Sequence, residues 1–384
     1  MGKVSVIMPV FNSQKYISQA VESFLAQTWP YKELIIVDDA STDSSMKELK
    51  KYSKYFDNIV LLTNDQNRGV SYSRNRGIQV ASGNYIALLD SDDWMDPTRL
   101  EKQVQFLVSH PDVSVVFSDT YLVDEVNSNI QRTETDFVSE SLFLPMMLCR
   151  NVISPTPATC MYKRECFQSE KYDESLHHAE DYDLNLRLAF NFKFGYLKEP
   201  LYYYRRHSKN VSNNHGKHLD NELRIISKIP EKNIKLAFTL SGRTSKERDY
   251  IKLLQGIFEL KRRKTKKAIL MFESLNTYDS EILRSKHFYL GVANYLRSEF
   301  RESYRHFLQA LNCDENPETL NNIGVTLIQL GADLSEAIVY FEKALQMKPE
   351  YLDTRHNLLK CSSGEKDGLK LTERELRKSL IPYK

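Results

Sequence analysis

The sequence predicts an α/β domain, a mainly parallel sheet flanked by helices, followed by an all-α solenoid of paired helices. Three observations carry this reading. In the first part of the chain, short apolar runs alternate with segments of helical periodicity, the pattern of parallel strands joined by crossover helices. From about Asp249 onward strand-like runs vanish and helix formers dominate. Within that second part, small residues and phenylalanines recur at a period of 33 to 35 residues.

Taken in order, residues 4–8 form a short apolar strand. Residues 17–26 place Ile17, Ala20, Val21, Phe24 and Leu25 at helical spacing. Residues 33–37, Glu-Leu-Ile-Ile-Val, form a buried strand ending in Asp38-Asp39, and a helix starts near Thr42-Asp43. Residues 59–62 form a third strand, and 70–81 a helix that Gly83 stops. Residues 85–89 form a fourth strand, ending at Asp90-Ser91-Asp92-Asp93. In such sheets ligands bind beyond the carboxyl ends of strands, where both acidic clusters fall. No GxGxxG follows the first strand, and no Gly-x-x-x-x-Gly-Lys-Ser/Thr occurs anywhere, so the common dinucleotide and P-loop sites are excluded.

In the second part Gly256, Ala268 and Phe272 recur as Gly291, Ser303 and Phe307, then as Gly324, Ala337 and Phe341, with Pro349 closing the third copy. The pattern resembles tetratricopeptide repeats over about 249–282, 284–316 and 317–350, with 353–360 as a capping helix. Small residues let paired helices approach closely, and the aromatics fill the space between pairs. The predicted organisation is a domain at 1–215, a helical linker at 216–248 and a repeat domain at 249–384.

Composition sets outer bounds. Hydrophobic residues make up 41% and charged residues 27% of 384, and the formal net charge is +2, so bulk charge gives no argument for a nucleic-acid partner. No apolar run approaches the roughly 18–20 residues needed to cross a membrane, and the amino-terminal residues lack a signal-peptide pattern. Cys149, Cys160, Cys166, Cys313 and Cys361 form no CxxC pair, which speaks against disulfides or structural zinc and for a reducing, cytoplasmic compartment.

The acidic run poses a charge problem. Asp90, Asp92, Asp93 and Asp96 put four carboxylates in seven residues. Two carboxylates about 4 Å apart repel by roughly 4 kcal/mol near a protein surface. Asp96 precedes Pro97 and the helical run 99–107, so it fits a helix N-cap. The other three follow a buried strand, and a hard divalent cation with phosphate oxygens is their natural partner.

Six segments then match a known pattern in order. They are VSVIMPVFN at 4–12, ELIIVDDASTD at 33–43, NRGVSYSRNRGI at 67–78, GNYIALLDSDDW at 83–94, YDESLHHAEDYDLNLRLAF at 172–190 and YYYRRHSKNVS at 202–212. Together, over about residues 3–215, they resemble the inverting family-2 glycosyltransferases of GT-A fold. The resemblance implies transfer of a sugar from a nucleoside-diphosphate donor, a UDP-sugar first, with Mn2+ or Mg2+ as cofactor. It implies Asp92 and His207 as metal ligands, with Asp90 on metal or ribose in a DxD-type motif. It places Pro9, Phe11, Asp39 and Arg68 near the nucleotide, and Arg205 or Arg206 on the diphosphate. It makes Asp181 the base that takes the acceptor proton, with Glu180 supporting it or touching the acceptor. Structural alternatives exist: Asp39 as a helix cap with Ser41, Phe11 as core, and Glu180 and Asp181 as first-turn residues of a helix over 182–189.

The basic run 261–267 reads as a solvated turn inside the first repeat, or as a contact to anionic lipid at the inner face of the membrane. The acceptor class stays open between a glycan, a lipid-linked saccharide and a protein or peptide, and the repeats serve acceptor binding, a protein partner or self-association. The competing class is an interaction scaffold with an inactive transferase domain.

Overall fold

The computed structural model describes residues 2–375, except 128, 129, 136, 138, 154, 155, 209, 211–214 and 240–243. The chain divides into two compact units, Met1–Ile234 and Lys235–Lys384.

The first unit opens with β1 (Val4–Val10), α1 (Ile17–Leu25), β2 (Lys32–Asp38), α2 (Ser45–Tyr55), β3 (Ile59–Thr63), α3 (Val70–Val80) and β4 (Tyr85–Leu88). These four strands are parallel, in spatial order β3-β2-β1-β4. Val4, Val6, Ile7 and Met8 of β1 and Leu34, Ile36 and Val37 of β2 are fully buried. Their near-continuous apolar runs follow from burial on both faces. A Cβ on Gly77 would come within 2.7 Å of Ile7 Cγ2, so glycine lets α3 lie tight on the sheet.

The expectation of a mainly parallel sheet needs correction beyond this point. β5 (Trp94–Met95), α4 (Arg99–Ser109), β6 (Val113–Asp124), β7 (Ile130–Thr133), α5 (Glu140–Cys149), β8 (Met161–Lys163), α6 (Cys166–Ser169), α7 (Glu180–Ala189) and β9 (Lys193–Arg206) follow. β8 inserts antiparallel between β4 and β6; β7 and β5 pair antiparallel with β6 and β9, and only β6 and β9 run parallel. The sheet is therefore mixed, with order β3-β2-β1-β4-β8-β6-β9-β5 and β7 beside β6. The strand–helix alternation that signals parallel pairing ends at β4, and the short β8 carries no periodicity of its own to reveal its direction.

Glu33 of β2 shows how buried charge is held. Its carboxylate accepts from Lys3 Nζ (2.7 Å), Ser5 Oγ (2.5 Å), Ser82 N (2.8 Å) and Ser82 Oγ (2.9 Å). Burial alone would push its pKa up; the Lys3, Ser5 and Ser82 donors outweigh that and hold it at about 2, against a usual 4.5. A depressed carboxylate contributes stability that is present above its unfolded pKa and lost as pH falls through the folded one. Urea titrations between pH 5 and pH 2 should therefore show native protein losing up to roughly 3 kcal/mol more than Glu33→Gln. Parallel acid limbs would remove Glu33 from acid unfolding.

After α8 (His215–Ser227), the division between units falls inside α9 (Glu231–Thr239). The second unit, in its described residues, is helical: α10 (Ser245–Lys261) with α11 (Thr265–Glu273), α12 (Ser280–Tyr295) with α13 (Phe300–Cys313), α14 (Pro317–Gln329) with α15 (Leu334–Met347), then α16 (Leu352–Ser362). In each of the three pairs one glycine faces one fully buried phenylalanine: Gly256 and Phe272, Gly291 and Phe307, Gly324 and Phe341. A Cβ at any of the three would overlap the ring, at 2.5 Å for Gly291 and 2.6 Å for Gly324. The basic run lies at the turn between α10 and α11, as its composition suggests. Lys267 and Arg263 there pair with Glu259 and Glu373 at 2.5 and 2.7 Å.

Candidate active site

β1, β2 and β4 end side by side, at the point where the strand order reverses. Phe11, Asp39 and Asp90 follow these three ends. Main-chain bonds continue the register past the strands, Asp39 N to Val10 O at 2.8 Å and Leu89 N to Ile7 O at 3.0 Å. Phe11 is 47% exposed, so it is not core, and Pro9 lies within β1 opposite Val37.

Asp39 is buried and its carboxylate accepts from Asn64 Nδ2 (2.7 Å), Arg68 N (2.8 Å) and Gly69 N (2.8 Å). It does not cap α2, whose N-cap is Ser44. Three of a carboxylate's roughly four acceptor positions are thus in use. The bond to Gly69, whose φ of +86° favours glycine, fixes the turn into α3. The Arg68 guanidinium lies 4.9 Å over the Tyr72 ring, with Nε 3.5 Å from Asp65.

The acidic run splits into four roles. Asp96 Oδ1 accepts from Thr98 N (2.9 Å) and Thr98 Oγ1 (2.6 Å), so it braces the turn before α4, but the N-cap is Thr98, two residues later than expected, with the helix starting at Arg99. Asp93 is buried, and its Oδ1 accepts from Arg205 N at 2.8 Å. Burial, then the charges of Asp92 and Asp90, push its pKa well up. Asp92 Oδ2 lies 2.9 Å from His207 Nε2, across 115 residues of sequence. Asp90 Oδ1 instead takes Arg74 Nη2 at 2.9 Å, and its main-chain N donates to Tyr202 Oη at 3.0 Å.

Arg74 is the residue that sequence reasoning missed. Its side chain is only 4% exposed, and it bridges Asp90 to Glu180 Oε1, again at 2.9 Å. Burial favours loss of its proton, but the Asp90, Tyr172 and Glu180 charges win, and its pKa is raised further above the arginine range. Asp90 responds in the opposite sense to a simple ion pair: burial and Asp92 raise its pKa against the pull of Arg74. A signal existed. Ser71, Ser73, Arg74 and Gly77 share the buried part of α3, and an arginine among small residues there needs a buried anion.

Glu180 and Asp181 open α7 directly after Ala179, which holds a left-handed φ of +61°. Both lie in the first turn, as the alternative reading has it, and Asp181 is half-buried. The preceding segment is pinned to α3 by Ser71 Oγ to Leu176 O (3.3 Å) and Asn75 Nδ2 to Tyr172 O (3.0 Å).

In two places the structure arranges the expected residues differently. Arg205 is not placed to grip a diphosphate: it is 2% exposed and sandwiched between the Tyr16 and Trp94 rings at 4.8 and 4.7 Å. Its guanidinium donates to Asp92 O (2.9 Å), Asn127 Oδ1 (2.5 Å) and Gln19 Oε1 (2.5 Å), so it locks the acidic turn to β9. The three-ligand set Asp90, Asp92 and His207 is not assembled either, because Arg74 is the counterion of Asp90. Among the described residues no three His, Cys, Asp or Glu groups converge as a metal cluster. The Asp92–His207 pair still fits, since carboxylate and imidazole are common ligands of divalent ions and phosphate oxygens or water can complete the shell. Arg206 follows on β9, half-buried, while residues 209, 211 and 212 of the closing motif lie outside the described residues.

The model of the family described as glycosyl transferase family 2 matches residues 5–169. An uncharacterized glycosyltransferase of Methanocaldococcus jannaschii is 32% identical over 205 residues, 53% of this chain and 70% of that one. The chain belongs to glycosyl transferase family 2. The glycosyltransferase GlyG of Streptococcus pneumoniae is 28% identical over 218 residues, 54% of this chain and 72% of that one. Residues 1–349 of S. aureus TarS in complex with UDP-GlcNAc superpose with a TM-score of 0.53 at 18% identity, over 86% of this chain and 92% of that one. This family-2 chain is thus a glycosyltransferase with a GT-A-like mixed sheet. No helix among the described residues is long and apolar enough to cross a membrane.

Proposed function

We propose that the chain is a metal-dependent, inverting transferase that moves a sugar from a UDP-sugar to an acceptor hydroxyl. The observation that carries this reading is the Arg74 bridge. It ties the acidic turn after β4 to the first turn of α7, so nucleotide-side and acceptor-side carboxylates share one buried cation.

Phe11 offers an exposed face to the nucleobase, Pro9 shapes the strand beneath it, and Asp39 keeps one acceptor position for it. Arg68 flanks the base, and Arg206 rather than Arg205 pairs with the diphosphate. Asp92 and His207 would hold Mn2+ or Mg2+, which when bound neutralises charge developing on the leaving diphosphate. Asp90, fixed by Arg74, faces the ribose side. Asp181 takes the proton from the acceptor hydroxyl; that oxygen bonds to the anomeric carbon as the bond to the diphosphate breaks, with inversion. Glu180, held by Arg74, keeps the first turn of α7 in place. A UDP-sugar is favoured as donor because the TarS fragment, of like fold, is held with UDP-GlcNAc.

The acceptor is a glycan, lipid-linked saccharide or protein hydroxyl. The three glycine–phenylalanine helix pairs support a tetratricopeptide reading of the second unit, with residues 249–350 as three repeats and binding of acceptor or partner as their work. Hydrolysis of UDP-, GDP- and dTDP-sugars, each with and without Mn2+, tests the reaction. Turnover of a UDP-sugar only with the metal is expected. No metal-dependent turnover of any donor would overturn the reading and favour a scaffold.

A further inference from the structure

Residues 369–375, Leu-Lys-Leu-Thr-Glu-Arg-Glu, have no regular secondary structure and lie across a face built by α12, α14 and α16. Two asparagines grip their main chain from both sides of the peptide unit. Asn357 Nδ2 donates to Lys370 O (2.8 Å) while Lys370 N donates to Asn357 Oδ1 (2.7 Å). Asn322 does the same at Thr372, with both bonds at 2.8 Å. Asn321 Nδ2 adds a bond to Lys370 O (3.1 Å), and its Oδ1 is fixed by Thr354 Oγ1 and Asn357 Nδ2. Asn321, Asn322 and Asn357 are all fully buried.

Three buried asparagines in helix interiors are poor residues for packing alone. Asparagine is a poor helix former, and its amide is costly to bury without partners. Their amides match two alternate residues of an extended main chain, which is the chemistry of backbone recognition. Main-chain bonds of this kind accept any extended polypeptide. Selectivity comes from side chains: Leu371 packs against both apolar clusters of the unit, and Thr372 sits buried against Tyr351 and Asp353. Glu373 pairs with Arg263 (2.7 Å), and Glu375 with Arg284 (3.1 Å).

The segment keeps much of its side-chain surface in solvent. Only Thr372 is buried; Lys370, Glu373 and Arg374 are exposed. The connection 362–368 is exposed throughout and contains Gly364 and Gly368 at φ of +84° and +70°. We propose that this face is a receptor for an extended segment of another protein, and that residues 369–375 are its built-in competitor. A partner segment with leucine, threonine and following glutamates displaces the chain's own and takes over the asparagine bonds. The proposal does not rest on the transferase reading.

The test is fluorescence anisotropy with a labelled Gly-Leu-Lys-Leu-Thr-Glu-Arg-Glu peptide and the full chain, without sugar nucleotide. In Thr372→Arg the chain's own segment is expelled and the receptor residues stay intact. That variant should bind at least about tenfold tighter than native protein, which faces intramolecular competition. Adding Asn322→Ala and Asn357→Ala should abolish the gain. Equal binding by native and Thr372→Arg chains with the same helical circular dichroism would overturn the proposal. Hydrogen exchange on the native chain gives a second reading that needs no variant. The Lys370 and Thr372 amides should exchange by local opening, ahead of α14. Exchange only with unfolding of the whole unit would make the segment a fixed structural part and overturn the proposal, as would dimers that exchange this segment between copies.

Discussion

Asp181→Asn is expected to keep its affinity for the sugar nucleotide and lose about 10²- to 10⁴-fold in turnover, the usual weight of a positioned base. The amide preserves shape but cannot take the acceptor proton. Asp181 stands in the first turn of α7, next to Glu180, which Arg74 ties to Asp90. The substitution leaves that bridge intact, so binding and chemistry separate. Steady-state release of UDP and a calorimetric titration with donor check both halves. Near-normal transfer by the variant would take Asp181 out of the mechanism, and a parallel loss of donor binding would make its role structural.

Arg74→Met is expected to destabilise the first unit by about 3–5 kcal/mol, because it strands two partly buried carboxylates without their cation. Asp90 and Glu180 are 24% and 13% exposed in their side chains, so solvent cannot replace the guanidinium well. Arg74→Lys should recover little, since a single ammonium cannot present two forked donors to two carboxylates. Trp29 and Trp94 are the only tryptophans of the sequence and both lie in the first unit, so their fluorescence in urea reports that unit alone. A loss below about 1 kcal/mol would class the bridge with ordinary surface pairs.

The legible part of the fold was the part with strong periodicity. β1 to β4 are apolar runs separated by helical segments, and β2 and β4 lead into Asp38-Asp39 and Asp90 to Asp93, so strand ends and candidate ligands were readable together. The second half of the sheet was not, because β8 is three residues long and its direction is set by partners 45 to 78 residues away. The helix pairs were readable because Gly291 and Phe307 have to meet in space at a fixed sequence distance. In the site, the motifs resembling family 2 pointed to Asp92 and His207 together with the α7 carboxylates. They could not say which acid faces which base. Arg205 and Arg74 are both arginines in matching motifs, yet burial between two rings assigns one to structure, and two carboxylates claim the other. The asparagines at 321, 322 and 357 gave no signal, since their partner is main chain, which has no sequence signature.

The metal dependence of the proposed reaction rests on the pairing of Asp92 with His207, and calorimetric titration of UDP in the presence and absence of Mn2+ tests it most directly. Mn2+ should raise UDP affinity at least about tenfold in the native chain, as a ligand bridged by the metal requires. The gain should vanish in Asp92→Asn and in His207→Ala. UDP binding that is equal with and without the metal, or a metal gain that survives both substitutions, would contradict the account.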